Sequence, residues 1–557
     1  MAWYDNAVFY HIYPLGMTGA PKENSYGEPV ERLNQLIPWI SHIKSIGCNA
    51  LYIGPLFESV GHGYETTDYR KLDSRLGTNE TLKKFVAECH AQGVKVIFDG
   101  VFNHTGRDFF AFRDVKQNRE NSRYKDWYCD VNFGGNNSYN DRFSYKNWGG
   151  YDLLVKLNQK NPAVKDYICD VIRFWVEEFD IDGIRLDAAD VMDFEYMQAF
   201  RAVANEVKPD FWLMGEVIHG DYSRWANEVT LHSVTNYVLH KGLYSAHNDR
   251  NYFEVAHTIK HVKEMFGRNI NLYTFVDNHD VERIYTKLKN KSHIVPIYIL
   301  LYTLPGIPSV YYGSEFGIEG RKEKSCDDYL RPMLKFEDYK DAIKTNPCTK
   351  LIASLGRIRR NNPVLSYGDY KELELFTTYY AYERSFEGKS VIIAVNNSDK
   401  DVELSLACGS FPKYIGALSG EEVDVNNGRI QVKVPANYGE IWICDSAYDE
   451  TFAPLKTVKI EKTPKPLKTA KAEKAPESVK TIDEEKSSEA VRAEEKKSMQ
   501  KPSIDLSKPY EEMSIEELQE AILEKMRKNG PVTDYMLGTV RENTHRGSLL
   551  SWVKSFN

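Results

Sequence analysis

Across roughly the first 350 residues, short apolar runs alternate with longer stretches whose apolar positions recur at helical spacing. The runs at 7–13, 48–53, 94–99, 183–187, 212–216, 233–237, 271–277 and 308–313 read as strands. Several are almost continuously apolar, the pattern of parallel strands covered on both faces. Amphipathic helices fall between many of them. Residues 82–92 carry one, and residues 164–179 carry another, opened by Asn161-Pro162. Eight strands with intervening helices predict an α/β fold, a (β/α)8 TIM barrel. An open doubly wound sheet would instead call for a Gly-rich phosphate loop after an early strand, and none is present.

The connection from Asp99 to Asn161 is long and rich in Asn, Asp, Gly, Tyr and Phe. A connection of that length carries structure or function of its own. We assign 1–103 and 161–360 to the barrel and 104–160 to an excursion domain after strand 3. Further on, short β-prone runs at 376–382, 390–395, 402–406 and 429–434 are separated by turn residues. They predict a C-terminal antiparallel β-sandwich over 361–447. Residues 448–505 are dominated by Lys, Glu, Ala, Pro and Ser, the composition of a disordered charged linker. Periodicity returns over 506–557. Ser514-Ile515-Glu516-Glu517 has the form of a capping box, and Leu518, Ile522, Leu523 and Met526 follow on one face. Asn529-Gly530-Pro531 stops that helix, and a second amphipathic stretch spans 533–556. A helical hairpin of this size buries little alone. It reads as a docking module, for its own enzyme or for a protein partner.

Composition narrows the class. The 557 residues carry a net charge of −8, which points to neither nucleic acid nor an anionic membrane as partner. The eight cysteines are scattered without CxxC spacing, as expected of reduced thiols rather than a zinc site or disulfide framework. No apolar run is long enough to span a membrane, and Met1-Ala2-Trp3-Tyr4-Asp5 opens without a basic and apolar leader. The expectation is a cytoplasmic protein.

In a barrel of this type the chemistry sits at the C-terminal ends of the strands. Strand 3 ends at Asp99, strand 4 contains Arg185 and Asp187, strand 5 ends at Glu216, and strand 7 runs into His279-Asp280. Four strand ends thus deliver carboxylates to one rim. Arg185 and Asp187 are two apart and share a face, so the guanidinium is expected to keep Asp187 ionised. Glu216 follows an apolar strand, where partial desolvation would hold its proton. One ionised and one protonated carboxyl are what cleavage of a glycosidic bond requires.

These motifs resemble the α-amylase family, glycoside hydrolase family 13, over about residues 5–445. Asp99-Gly100-Val101-Phe102-Asn103-His104 is similar to its first motif and Gly183-Ile184-Arg185-Leu186-Asp187 to its second. Gly215-Glu216-Val217 is similar to the third, and Phe275-Val276-Asp277-Asn278-His279-Asp280 to the fourth. Lys156-Leu157-Asn158 resembles a fifth, in the excursion domain. The loop from His62 to Tyr69 and the run Leu304-Pro305-Gly306-Ile307-Pro308 also fit. The resemblance implies a nucleophile at Asp187, an acid/base at Glu216 and a third, sugar-binding carboxylate at Asp280. It further implies that His104 and His279 bond to the same sugar, that Tyr64 stacks beneath it, that Arg185 orients Asp187, and that Asp99 supports Arg185. Arg283 is a candidate contact for a neighbouring sugar. Asn103 matches a calcium ligand of the family, so a structural calcium is an open expectation, with no cofactor otherwise required. The loop at 14–24 lacks a calcium-binding Asp/Asn cluster.

The chain departs from many members at Ala189-Asp190, where they carry Lys-His, while Ala188 resembles that of α-1,4-specific members. The motifs are most similar to the neopullulanase, cyclomaltodextrinase and maltogenic amylase branch, yet the first strand begins near Ala7, without that branch's N-terminal β-domain. The expected activity is hydrolysis of α-1,4 bonds in maltodextrins or other short α-glucans. A transglycosylase of the 4-α-glucanotransferase type is the alternative, and a non-catalytic glucan-binding or scaffold protein is the alternative of another class.

Overall fold

The computed structural model describes residues 2–267, 270–323, 326–448, 509–510 and 513–529, together with Leu549 and Val553. The chain divides into two compact units, 1–465 and 466–557.

In the first unit eight strands form one parallel sheet: β1 (Phe9–Ile12), β2 (Ala50–Ile53), β3 (Lys95–Gly100), β4 (Gly183–Leu186), β5 (Trp212–Gly215), β6 (Ser233–Val234), β7 (Tyr273–Phe275) and β8 (Ile307–Tyr311). Their spatial order is β6-β5-β4-β3-β2-β1-β8-β7. A parallel bridge between Thr235 and Tyr273 joins the outer two and closes the barrel. Strand β6 is shorter than its apolar run because Asn236 caps the next helix, accepting from Leu239 N at 3.0 Å, so Tyr237 is helical.

Side-chain alternation explains the packing. Ala7, Phe9, Ala50, Tyr52, Ile97, Trp212, Met214, Tyr273 and Phe275 form one cluster inside the barrel. Their alternates Val8, Tyr10, Leu51, Val96, Phe98 and Leu213 belong to the larger cluster shared with the helices. A period of two therefore fills both faces of each strand. The helices begin where the sequence signals them. Thr78 caps helix Asn79–Ala91. Asn161 caps helix Pro162–Phe179, which stops at Asp180 in the left-handed region (φ 56°).

The excursion domain carries an antiparallel three-stranded sheet of His104–Gly106, Asn147–Trp148 and Tyr151–Lys156. The C-terminal region has a six-stranded sheet and a two-stranded sheet, both antiparallel. Between them lies an apolar cluster that includes Ile392, Leu404, Ile430 and Trp442. Phe376, expected in a strand, lies in the turn between Asp369–Leu375 and Tyr379–Phe386, and its N–H donates to Tyr379 O at 2.9 Å. All eight cysteines are free thiols.

In the second unit, helix Ile515–Asn529 starts with a reciprocal cap. Glu517 N donates to Ser514 Oγ at 3.2 Å, and Ser514 N donates to Glu517 Oε2 at 2.8 Å. Leu518, Ala521, Ile522 and Leu523 are buried against Leu549 and Val553. The linker expected over 448–505, Tyr448 excepted, lies outside the described residues, as does most of the second stretch of the hairpin. Among the described residues no helix is long and apolar enough to cross a membrane.

Candidate active site

The inward parity that fills the barrel continues past its last apolar layer and delivers the site. Positions 97, 212 and 275 point inward. Two residues further along β3 comes Asp99, and four further along β5 comes Glu216. Gly215 is needed just before Glu216, because a Cβ there would lie 2.4 Å from Leu231 Cδ1 and 2.8 Å from Ala189 Cβ.

Arg185 is the centre of the arrangement. Its Nη1 donates to Asp99 Oδ1 at 2.8 Å and to Asp187 Oδ1 at 3.1 Å. Its Nη2 lies 2.7 Å from Glu216 Oε2. Glu216 also accepts from Tyr237 OH at 3.2 Å and from Ala188 N at 3.3 Å. Ala188 adopts the left-handed conformation (φ 50°), a strained setting for a residue with a Cβ. Asp99 is held on its other oxygen by Tyr52 OH at 2.8 Å and Tyr64 OH at 3.1 Å.

The Tyr64 hydroxyl links this cluster to a second one: His279 Nε2 lies 2.5 Å from it and 3.0 Å from Asp280 Oδ2. Arg331 Nη2 donates to Asp280 Oδ1 at 3.0 Å and to Asp327 Oδ2 at 3.1 Å. His104 is buried, with Nε2 3.1 Å from Tyr64 O. Together Tyr64, His104, Asp187, Glu216, Asp280 and Arg331 line one cavity of about 270 Å³, with His62, Trp148, Leu154, Ala188 and Asp327 completing its wall.

The electrostatics differ from the expectation that Arg185 alone fixes Asp187 as a carboxylate. Burial pushes the Asp187 carboxyl well above the usual range; Arg185 opposes this, and Glu216, Asp99 and Asp280 add to the rise. Arg185 is shared among three carboxylates, so its pull on Asp187 is diluted. Asp280 goes the other way. Burial would raise it, but His279 and Arg331 hold it well below the usual carboxylate range. Burial pushes His104 down to about 3, so its ring is neutral.

Two expectations are corrected. Arg283 does not meet a sugar: it is fully buried, its Nη1 donates to Tyr312 O at 2.7 Å and its Nη2 to Leu330 O at 2.8 Å. It braces the loop after β8, and the arginine that lines the cavity wall is Arg331. Asn103 does not fit a calcium ligand either. Its Oδ1 accepts from Lys156 Nζ at 2.6 Å and Gln159 Nε2 at 3.1 Å, so an ammonium occupies the position a cation would take. Among the described residues no cluster of three or more His, Cys, Asp and Glu side chains is placed to hold a metal ion. The sequence reading missed Arg331, Asp327, Trp148 and Tyr237. Asp327 and Arg331 carry one faint signal, an acid–base pair four apart in an otherwise irregular loop.

Comparison with known proteins settles the family. The family model described as the α-amylase catalytic domain matches residues 23–364. The chain belongs to the α-amylase family. It is a glycosidase. It is 33% identical over 421 residues to a cyclomaltodextrinase of Thermoanaerobacter pseudethanolicus, covering 72% of this chain and 71% of that protein. It is 30% identical over 477 residues to neopullulanase 2 of Thermoactinomyces vulgaris, covering 79% and 78%. Among solved structures, a debranching enzyme of Nostoc punctiforme superposes with a TM-score of 0.68 at 26% identity, over 79% of this chain and 98% of that one.

Proposed function

We propose that the enzyme hydrolyses α-1,4-glucosidic bonds of maltodextrins and similar short α-glucans with retention of configuration, through a glycosyl ester on Asp187. One observation carries this reading: a single guanidinium, Arg185, bridges Asp187 and Glu216 in the cavity that also contains Asp280. Retention calls for carboxyl groups about 5–5.5 Å apart and inversion for about 6.5–9.5 Å, and bridging by one planar group favours the shorter class. The names of the relatives, a cyclomaltodextrinase and a neopullulanase, support an α-glucan as the substrate.

In the proposed step the glycosidic oxygen takes the proton held by the Asp187–Glu216 pair, delivered from Glu216, while Asp187 Oδ attacks the anomeric carbon. Glu216 must release Arg185 to carry that proton, and Arg185 then pairs with the ionised Asp187. Asp280, kept charged by His279 and Arg331, accepts hydroxyls of the same sugar. In the second half water is deprotonated by Glu216 and opens the ester. Trp148 stands in the cavity wall, and an aromatic side chain there favours glycosyl transfer as a second outcome of the same intermediate.

Product analysis on maltotetraose, cyclodextrin, pullulan and panose, with the anomer followed by NMR, tests the reading. Asp187→Asn and Glu216→Gln should each lower kcat by about 10⁴-fold or more with the fold intact. Near-normal turnover by either variant, or release of the inverted anomer, sinks the proposal.

A further inference from the structure

A second cavity, of about 400 Å³ against about 270 Å³ for the catalytic cleft, lies at the other end of the barrel. Its walls come from segments that lead into strands rather than out of them: His232 precedes β6, Asn271 precedes β7 and Pro305 precedes β8. With a rise of about 3.3 Å per residue, the strands put it on the order of 10–15 Å from the carboxylates. The remaining wall belongs to the C-terminal region, through Tyr367 and Arg384.

Two features indicate what it accepts. The first is a pair of anchored tyrosines. The Tyr4 ring stacks on Trp212, with centroids 5.8 Å apart, and Tyr367 rests on Phe386 at 5.6 Å. The second is the charge pattern. Asp5 and Glu228 face Arg201 and Arg384, two negative and two positive side chains, so the cavity selects no ion. Arg384 is used up in the wall, donating to Gly368 O and Thr303 O. Arg201 is not: Nη1 donates to Thr230 O at 3.0 Å, while its buried Nε has no hydrogen-bond partner among the described residues. Anchored tyrosine rings beside a guanidinium with an unused donor suit a neutral ligand with an apolar ring and vicinal hydroxyls.

We infer that this cavity is a second, non-catalytic sugar site that takes the end of a short α-glucan, one or two glucosyl units long. It rests on the α-glucan reading of the cleft. It is half again as large as the cleft around the carboxylates, so it has room for a disaccharide. Because it joins the entries of β6–β8 to the C-terminal sheet, its ligand ties the two together, and bound sugar raises Tm by mass action.

The test uses the full-length Asp187→Asn protein, which does not consume its ligand, and radiolabelled maltose in equilibrium dialysis. Two maltose per chain are expected. Combining Glu228→Gln with Tyr367→Ala should remove one, and the exposed Glu228→Gln alone, which leaves folding intact, should weaken that one by about tenfold, one hydrogen bond's worth. In the active enzyme the same substitutions should leave kcat/KM on p-nitrophenyl α-maltoside within about twofold, since none touches the cleft. One maltose per chain that survives the Glu228→Gln, Tyr367→Ala pair overturns the second site while the α-glucan reading stands. One maltose lost with that pair supports the second site and overturns the reading of the cleft. No maltose at all overturns both.

Discussion

Asp187 and Asp280 show how two aspartates in one cavity reach opposite states. Asp280 faces His279 and Arg331 and stays charged, whereas Asp187 shares Arg185 with Asp99 and Glu216 and is pushed up by burial. This has a consequence for stability. In the unfolded chain an aspartate titrates near 4. The folded protein binds that proton more tightly, so stability is fullest below the unfolded value and falls as pH rises toward the raised folded one. Asp187→Asn removes the buried charge and keeps the acceptor. It should raise Tm at pH 7 and leave it unchanged at pH 3.5, as read by calorimetry. A lower Tm at pH 7 would show that Arg185 outweighs burial. Arg331 makes a complementary case. Arg331→Met should raise KM for maltotriose about tenfold or more, because Asp280 and Asp327 lose their shared donor and the sugar they meet loses its fixed partners. An unchanged KM would place the sugar elsewhere.

At the scale of elements, the segment that follows β3 and the excursion strand Tyr151–Lys156 meet at Asn103. Lys156 reaches across to Asn103 Oδ1, and Asn103 Nδ2 lies 3.2 Å from His104 Nδ1, so one lysine connects the excursion domain to a ring in the cleft. We propose that this ammonium serves where a divalent cation would otherwise brace the junction. Chelation with EDTA should leave activity and Tm unchanged. Lys156→Met should lower both, with Lys156→Arg recovering part of the loss; loss of activity on chelation would refute the assignment. The elements that carry this site were readable because polar residues interrupt apolar strand runs at their ends. Asp99 and Glu216 were placed on the rim by standing at strand ends, and Arg185 and Asp187 by being two apart on one strand. Arg331 and Trp148 were not readable. They come from a loop and a hairpin tip, where side-chain direction follows from turn geometry: Gly149 (φ 64°) and Gly150 (φ 83°) both lie in the left-handed region and turn the strand at Trp148. Arg283 was misplaced for the same reason, since a residue three beyond Asp280 has already left the strand's alternation.

At the scale of the whole molecule, the cleft is assembled entirely from the first unit. Its walls span His62 to Arg331, and the C-terminal sheets pack on helix Ile294–Thr303, where Arg384 donates to Thr303 O at 2.7 Å and the Thr303 and Tyr382 hydroxyls meet at 2.5 Å. That contact buries the apolar face of a helix whose ten residues are all buried, so the C-terminal sheets complete the barrel's core. Helix Ile515–Asn529, by contrast, buries Leu518, Ile522 and Leu523 against Leu549 and Val553 of its own unit. Catalysis and the last hundred residues are then separable, and the C-terminal sheets are not. A protein lacking residues 455–557 should keep kcat and KM on maltotriose within about twofold and unfold at nearly the same temperature, because the residues that line the cleft all lie between His62 and Arg331. A protein ending at residue 367 should fail to fold, since helix Ile294–Thr303 would then expose several large apolar side chains at a cost of about 1.5–3 kcal/mol each. If instead the longer truncation were stable, or the shorter one inactive, the division of labour between the two units would be the reverse of the one the packing implies.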